Sequence, residues 1–209
     1  MEPFNVISGT ATTMLSPNID TDVIMPKQFL KRIDRKGLDR GLFYDLRFLP
    51  DGEENPDFIL NAPGKRASKF LIVGPNFGCG SSREHAVWGL VQFGIRAVIG
   101  TSFAGIFYEN CLRNGVLTIR LSEKDIRKIA PVGTPESRLP LQVDLPAEQI
   151  TLPDGTVVPF VIDRIHKSTL LEGRDAIDQT LRFKDLIYTF ENKYKAAKPW
   201  LFTELKEPL

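Results

Sequence analysis

The stretch that decides the fold is "KFLIVGPNFGCGSSREHAVWGLVQFGIRAVIG", Lys69 to Gly100. It opens on the apolar run from Phe70 to Val73, closed by Gly74 and Pro75, which reads as a buried strand. A second apolar run, "RAVIG", ends it. Between the two, Ala86, Val87, Leu90 and Val91 share one face of a helix predicted over Ser82 to Phe93, and Gly94 stops that helix. Strand, loop, helix and strand within about 30 residues make one βαβ unit, so the centre of the chain is predicted to hold parallel strands.

Downstream, "SFAGIFYENCLRNG" reads as a second helix with Gly115 at its C-terminal end. "VLTIRL" is a third strand, and "SEKDIRKIA" a short helix capped by Ser122. After the loop "PVGTPESRLP", the segments "LQVDL", "EQITL" and "TVVPFVI" alternate as antiparallel strands, the last two joined by a "PDG" turn. "RDAIDQTLRFKDLIYTFENKYKAA" is helical. Upstream, "FNVISGTATTM" reads as a strand, "SPNIDTD" as a turn-rich loop and "PDGEENPDF" as another. "DVIMPKQFL" is broken by Pro26. "KRIDRKGLDRG" carries Lys31, Arg32, Arg35, Lys36 and Arg40 without an amphipathic period and reads as a mobile basic loop. There is no internal repeat or low-complexity tract. The prediction is one α/β domain over residues 1–209, a mixed sheet around a parallel βαβ core, with a helical extension at about 174–197.

The totals narrow the function. Of 209 residues 42% are hydrophobic and 25% charged, an ordinary globular balance. Lys plus Arg number 27 and Asp plus Glu 26, so there is no basic footprint for nucleic acid and no acidic tail. No apolar run approaches a membrane span. "MEPFNVISGT" lacks the charged and apolar regions of a signal peptide. The two cysteines, Cys79 and Cys111, argue against a disulfide framework and point to a reducing cytoplasm. With His85 and His166 they lack the spacing of a zinc site, and they are too few for an iron–sulfur cluster held by this chain alone.

The loop "NFGCGSSREHA", Asn76 to Ala86, carries the chemistry. Ser81 and Glu84 stand at capping-box spacing, which alone would explain much of the polar content as helix-start chemistry. A capping box does not explain Gly78 and Gly80. A Gly-x-Gly loop between a buried strand and a helix presents backbone N–H groups, here of Gly78, Cys79 and Gly80, at the positive end of the helix dipole, which favours an anion. The phosphate readings fail: the P-loop lysine is missing, and Arg83 occupies the position of the third glycine of a dinucleotide fingerprint. Ser81, Ser82 and the fork of Arg83 favour a small carboxylic acid instead. Cys79 near a helix start is a second candidate nucleophile, against the simpler reading of a small residue filling tight space.

The same loop resembles the signature of the small subunits of 3-isopropylmalate dehydratase, in the aconitase superfamily. "NIDTDVIMPKQFLKR", "RGLFYDLRF" and "AVIGTSFAGIFYENCLRNGVL" follow in family order. The resemblance weakens through the antiparallel region, and "LEGRDAIDQTL" has Arg174 where the family usually has an apolar residue. The resemblance implies a swivelling β/β/α domain and an enzyme active only with a large subunit, as heterodimer or heterotetramer. That large subunit is implied to hold a [4Fe–4S] cluster, so no cofactor or metal is assigned to this chain. The implied reaction, in leucine biosynthesis, interconverts 2- and 3-isopropylmalate by dehydration and rehydration of a 2-hydroxy dicarboxylic acid. Carried onto this sequence, Ser81 is the base, Asp22 an active-site aspartate, and Ser82 and Arg83 hold a substrate carboxylate. Lys31, Arg32 or Arg35 supplies a substrate contact from a loop that selects the side group. "FLKR" looks like the bacterial leucine-pathway form. Trp88, Phe103, Phe107 and Tyr108 follow helical spacing and read as core or partner contacts.

Three alternatives remain open on the sequence. One is the small subunit of a related hydro-lyase acting on homoaconitate, citramalate-type or dimethylmalate-type substrates. Another is a regulatory or RNA-binding module, which the balanced charge opposes. The third is a hydrolase using Cys79.

Overall fold

The computed structural model describes residues 1–31, 36–130, 139–174 and 176–202. Its strands are β1 (Val6–Met14), β2 (Phe70–Val73), β3 (Ala97–Gly100), β4 (Leu117–Arg120), β5 (Leu139–Asp144), β6 (Gln149–Thr151) and β7 (Val157–Pro159). They form one sheet in the order β4-β3-β2-β1-β5-β6-β7. The β1–β4 half is parallel, in the register Met14↔Val73, Val73↔Gly100 and Gly100↔Arg120. From β1 outward through β5 and β6 to β7 every pairing is antiparallel. The predicted α/β class and the mixed sheet around a parallel core are both present.

The parallel strands are apolar on both faces because both faces are covered. Leu71, Val73 and Val98 point into one core with Ala86, Val87, Leu90, Phe107 and Cys111. Phe70, Ile72, Ala97 and Ile99 point into the other, with Ile126, Leu141, Val143 and Leu170. The period-2 alternation of side chains sets this division. The first core lies under the short helices α1 (Thr21–Ile24) and α2 (Tyr44–Arg47), the central α3 (His85–Phe93) and the following α4 (Gly105–Arg113). The second lies under α5 (Glu123–Ile129) and α6 (Arg164–Glu172). None of the described helices is long and apolar enough to cross a membrane.

Two local readings change. The helix predicted from Ser82 begins three residues later, at His85, and the capping box does not form. Glu84 is itself the N-cap residue, in α-region geometry (φ −70°, ψ −21°) and without a side-chain cap bond. Its carboxylate accepts from Asn114 Nδ2 at 2.7 Å, while Ser81 is engaged by Thr21, so the two halves of the box have stronger partners elsewhere. Helix α6 falls between the segments read as the last strand and the terminal helices. Its start is marked by Asp163, whose side chain accepts from the N–H groups of Ile165 and His166, and its end by Gly173. Those two backbone bonds, in that helix N-terminus, hold the Asp163 carboxyl below its ordinary value. Ser122 caps α5 as read, accepting from Asp125 N–H.

The chain divides into two compact units, Met1–Gly173 and Arg174–Leu209. The second holds α7 (Ala176–Leu181) and α8 (Lys184–Ala197), with Phe190 and Tyr194 stacked at 5.7 Å between ring centroids. Most of the loop read at 131–140 lies outside the described residues.

Asn114 ties α3 to α4. Its amide nitrogen also donates to Asn110 O at 2.8 Å, and its amide oxygen accepts from Trp88 Nε1 at 3.1 Å. Asn114→Ala removes these bonds at a half-buried site and should lower unfolding stability by about 1–3 kcal/mol. A fall in the urea midpoint at constant slope is the expected result; an unchanged midpoint would show that water replaces the amide without cost.

Candidate functional site

Three loops leave the carboxyl ends of β1, β2 and β3 and are laced together by backbone bonds. Gly78 N–H donates to Ile19 O at 2.8 Å, and Thr21 N–H to Cys79 O at 2.8 Å. Phe77 N–H donates to Ser102 O at 3.3 Å, Ala104 N–H to Phe77 O at 3.0 Å, and Asn76 N–H to Ser102 Oγ at 2.8 Å. The carboxyl edge of parallel strands is where α/β folds place ligands, and here these bonds join the three loops into one rim.

The loop's position depends on Gly78. It has φ +75°, and a Cβ there would stand 2.2 Å from the ring of Phe107. Phe107 in turn packs edge-on against Phe77, with centroids 5.3 Å apart. The loop is therefore pressed onto α4 at a distance that only glycine allows. Gly78 N–H is donated to Ile19 O and is not available to an anion, so its place in the loop is steric.

Beyond Gly80 the chain turns Ser81 toward α1. Ser81 N–H donates to Thr21 Oγ1 at 3.0 Å, and the two hydroxyl oxygens lie 2.8 Å apart. Thr21 is 1% exposed. Asp20 caps α1 by accepting from Val23 N–H at 2.8 Å. Its neighbour Asp22 points the other way and forms an ion pair with Arg83, with Lys27 Nζ 3.9 Å from its second oxygen. Ser82 is exposed and holds its backbone through Asn110, whose Nδ2 donates to Ser82 O at 3.2 Å. Ser81, Ser82, Arg83 and Asp22 thus stand together on one rim. Lys31 closes a 3₁₀ turn, Lys27–Lys31, after Pro26. Arg32 and Arg35 lie outside the described residues.

The other sequence candidates separate. His85 packs its ring against Trp88 within α3, with centroids 4.6 Å apart. Cys79 is half-buried with its thiol 3.5 Å from Asn18 O, whereas Cys111 is fully buried in the first core, where burial pushes its thiol well above the ordinary range. Among the described residues no group of three or more His, Cys, Asp or Glu is placed to hold a metal ion. Phe103 and Phe107 are core, and Trp88 and Tyr108 pack partly buried against it. Sequence reasoning missed Thr21, Asn110 and Asn114. Thr21 stands inside "NIDTD" between Asp20 and Asp22, and its contact with Ser81 across 60 residues is what distinguishes it.

Residues 1–124 match the family model for the aconitase C-terminal domain, and residues 177–204 match that for the C-terminal domain of the 3-isopropylmalate dehydratase small subunit. The chain is 55% identical over 201 residues to the 3-isopropylmalate dehydratase small subunit 1 of Mannheimia succiniciproducens, covering 96% of this chain and 99% of that one. The chain belongs to the family of 3-isopropylmalate dehydratase small subunits. Small subunit 2 from Salmonella typhimurium is 52% identical, over 96% of both chains. The crystal structure of 3-isopropylmalate dehydratase from Methanocaldococcus jannaschii superposes with a TM-score of 0.63 at 25% identity, covering 89% of this chain and 99% of that one.

In this family member the glycine at 78 gives a sharp test. Gly78→Ala combines a left-handed backbone with a collision against Phe107 and should cost roughly 3 kcal/mol or more. The expected result is a large fall in melting temperature, with Gly78→Ala and Phe107→Ala costing less together than the sum of their separate losses, because alanine at 107 removes Cγ and Cδ2, the two atoms a Cβ at 78 would strike first. A Gly78→Ala chain melting like the parent would contradict the packing described here.

Proposed function

We propose that this chain is the small subunit of a 3-isopropylmalate dehydratase, interconverting 2- and 3-isopropylmalate through isopropylmaleate as a step of leucine biosynthesis. The observation that carries the reading is the meeting of Ser81, Ser82, Arg83 and Asp22 on one rim, in a chain this similar to named small subunits. Residues 1–209 act as one swivelling domain with a helical extension, in the cytoplasm, paired with a large subunit in a heterodimer or heterotetramer. The [4Fe–4S] cluster that the family implies belongs to that large subunit and, when bound there, supplies a Lewis acid for the departing hydroxyl. The thiols of this chain do not suit it: Cys111 is buried in the core and only Cys79 reaches the loop.

The chemistry asked of this chain is carboxylate binding and proton removal. Arg83 and Ser82 hold a substrate carboxylate, Arg83 exchanging Asp22 for the incoming anion. Before that exchange Asp22 is the charge partner that orients the guanidinium. Ser81, as its alkoxide, takes the proton from carbon 3 of 2-isopropylmalate. The C–H electron pair becomes the C2=C3 double bond as the C2–O bond breaks. The departed hydroxide and the proton carried on Ser81 together make the released water. Rehydration by water, with its hydroxyl delivered to carbon 3 and its proton passed through Ser81 to carbon 2, gives 3-isopropylmalate. Lys31, Arg32 and Arg35 belong to the segment that meets the isopropyl end and the second carboxylate.

Reconstitution with the large subunit under anaerobic conditions, followed by isopropylmaleate absorbance, tests the assignment. Turnover should need both chains. Ser81→Ala should lower kcat by about 10²–10⁴-fold while the subunits still assemble. Arg83→Lys should act chiefly on KM, raising it about tenfold, because lysine cannot offer the fork. Turnover by the small subunit alone, or full turnover of Ser81→Ala, would overturn the proposal. Turnover confined to a different 2-hydroxy diacid would keep the chemistry and replace the substrate.

A further inference from the structure

We infer that Thr21 is a positioning residue for Ser81, holding its oxygen in place and donating the hydrogen bond that lets it exist as an alkoxide. The inference rests on the reading of Ser81 as the base and adds a residue to it.

A serine hydroxyl is a weak base because its conjugate acid is favoured by many orders of magnitude in water. Something at the site must favour the charged oxygen selectively. Arg83 is an incomplete answer in this structure, since its guanidinium is occupied by Asp22. The hydroxyl bonded to Ser81 Oγ belongs to Thr21, at 2.8 Å. In the neutral pair either oxygen can donate. Once Ser81 Oγ is an alkoxide it has no proton to give, so the same contact has a single direction, Thr21 to Ser81, and becomes a charge-assisted bond. The bond therefore strengthens in the state that does the chemistry.

Thr21 is built to hold that direction. Its oxygen also accepts the N–H of Ser81 at 3.0 Å, so one side chain grips both the backbone and the hydroxyl of the same residue. That acceptance occupies one of the two lone pairs of Thr21 Oγ1 and places its hydroxyl against Ser81 Oγ, where its proton is available once Ser81 has none to give. Thr21 N–H is held by Cys79 O at 2.8 Å, which fixes the first residue of α1 against the loop. The residue is 1% exposed, so little water competes for its hydroxyl, and the low local dielectric raises the value of a donor aimed at a developing charge. Asp20, which caps α1, and the fully buried Ile24 at the end of that turn anchor α1 and so keep the hydroxyl in place.

The experiment compares Thr21→Val and Thr21→Ser small subunits reconstituted with the large subunit. The substrates are 2-isopropylmalate and its form deuterated at carbon 3. Thr21→Val should assemble, leave KM near the parent value, and lower kcat about a hundredfold. The isotope effect on kcat should rise, because proton removal becomes the slow step. Thr21→Ser should recover most of the turnover and the parent isotope effect. In combination with Ser81→Ala, Thr21→Val should add no further loss, since its effect passes through Ser81. Should the valine variant fail to assemble, Thr21→Ser against Thr21→Ala makes the same comparison, because those two differ only by the oxygen. Unchanged kcat and isotope effect in Thr21→Val, or equal losses in the serine and alanine variants, would overturn the role given to Thr21. Full turnover of Ser81→Ala would overturn the reading of Ser81 itself, a separate outcome visible in the same series.

Discussion

The structure of the site depends on one short strap, the pairing of the loop after β1 with the loop after β2. Ile19 O accepts from Gly78 N–H, Cys79 O accepts from Thr21 N–H, and Thr21 Oγ1 accepts from Ser81 N–H. These bonds join residues about 60 positions apart in the chain and fix a polar cluster on the rim that brings hydroxyls, a carboxylate and a guanidinium within reach of one another. The strap can be this tight because Gly78 lets the backbone rest on the ring of Phe107. Its remaining side is closed by Ser102, which brings the loop after β3 into the same frame. A side chain on a rim held by three loops from three adjacent strands has little freedom to relax, and preorganisation of that kind is what the proton transfer proposed for Ser81 requires.

Electrostatics divides the same rim into two parts. Arg83 is paired with Asp22, which leaves its charge compensated and partly shielded from water. On the proposed reading a dicarboxylate substrate competes with Asp22 for the fork, so binding exchanges one carboxylate partner for another instead of desolvating a bare cation. Ser81 is insulated from that exchange by its own bonds to Thr21. The roles proposed for Arg83 and Ser81 thus rest on adjacent residues with separate supports.

Much of the fold was legible in the sequence. The βαβ unit from Lys69 to Gly100 has buried strands with continuous apolar runs, and the antiparallel strands have turn residues at their ends, so both were read from local signals. Helix α6 was not read, because "RIHKSTLLE" is polar and has few apolar residues to set a period; only Asp163 and Gly173 mark its ends. The capping box was a sound local inference defeated by tertiary partners. Thr21 and Asn114 come from distant segments and outbid the local bonds of Ser81 and Glu84. For the site, residue types pointed to the loop, but Thr21 acquires its significance only from a contact across 60 residues, which no local pattern encodes. The resemblance supplied the roles of Ser81 and Asp22; the geometry supplied the pairing of Asp22 with Arg83.

The measurement that tests the account most directly is a crystal structure of the reconstituted complex with 3-isopropylmalate bound. The account predicts that Arg83 has released Asp22 and forks a substrate carboxylate. It also predicts that Ser81 Oγ, still bonded to Thr21, lies within hydrogen-bond reach of the carbon that exchanges its proton. Substrate bound elsewhere, with the Arg83–Asp22 pair intact and Ser81 remote from the reacting carbons, would contradict it.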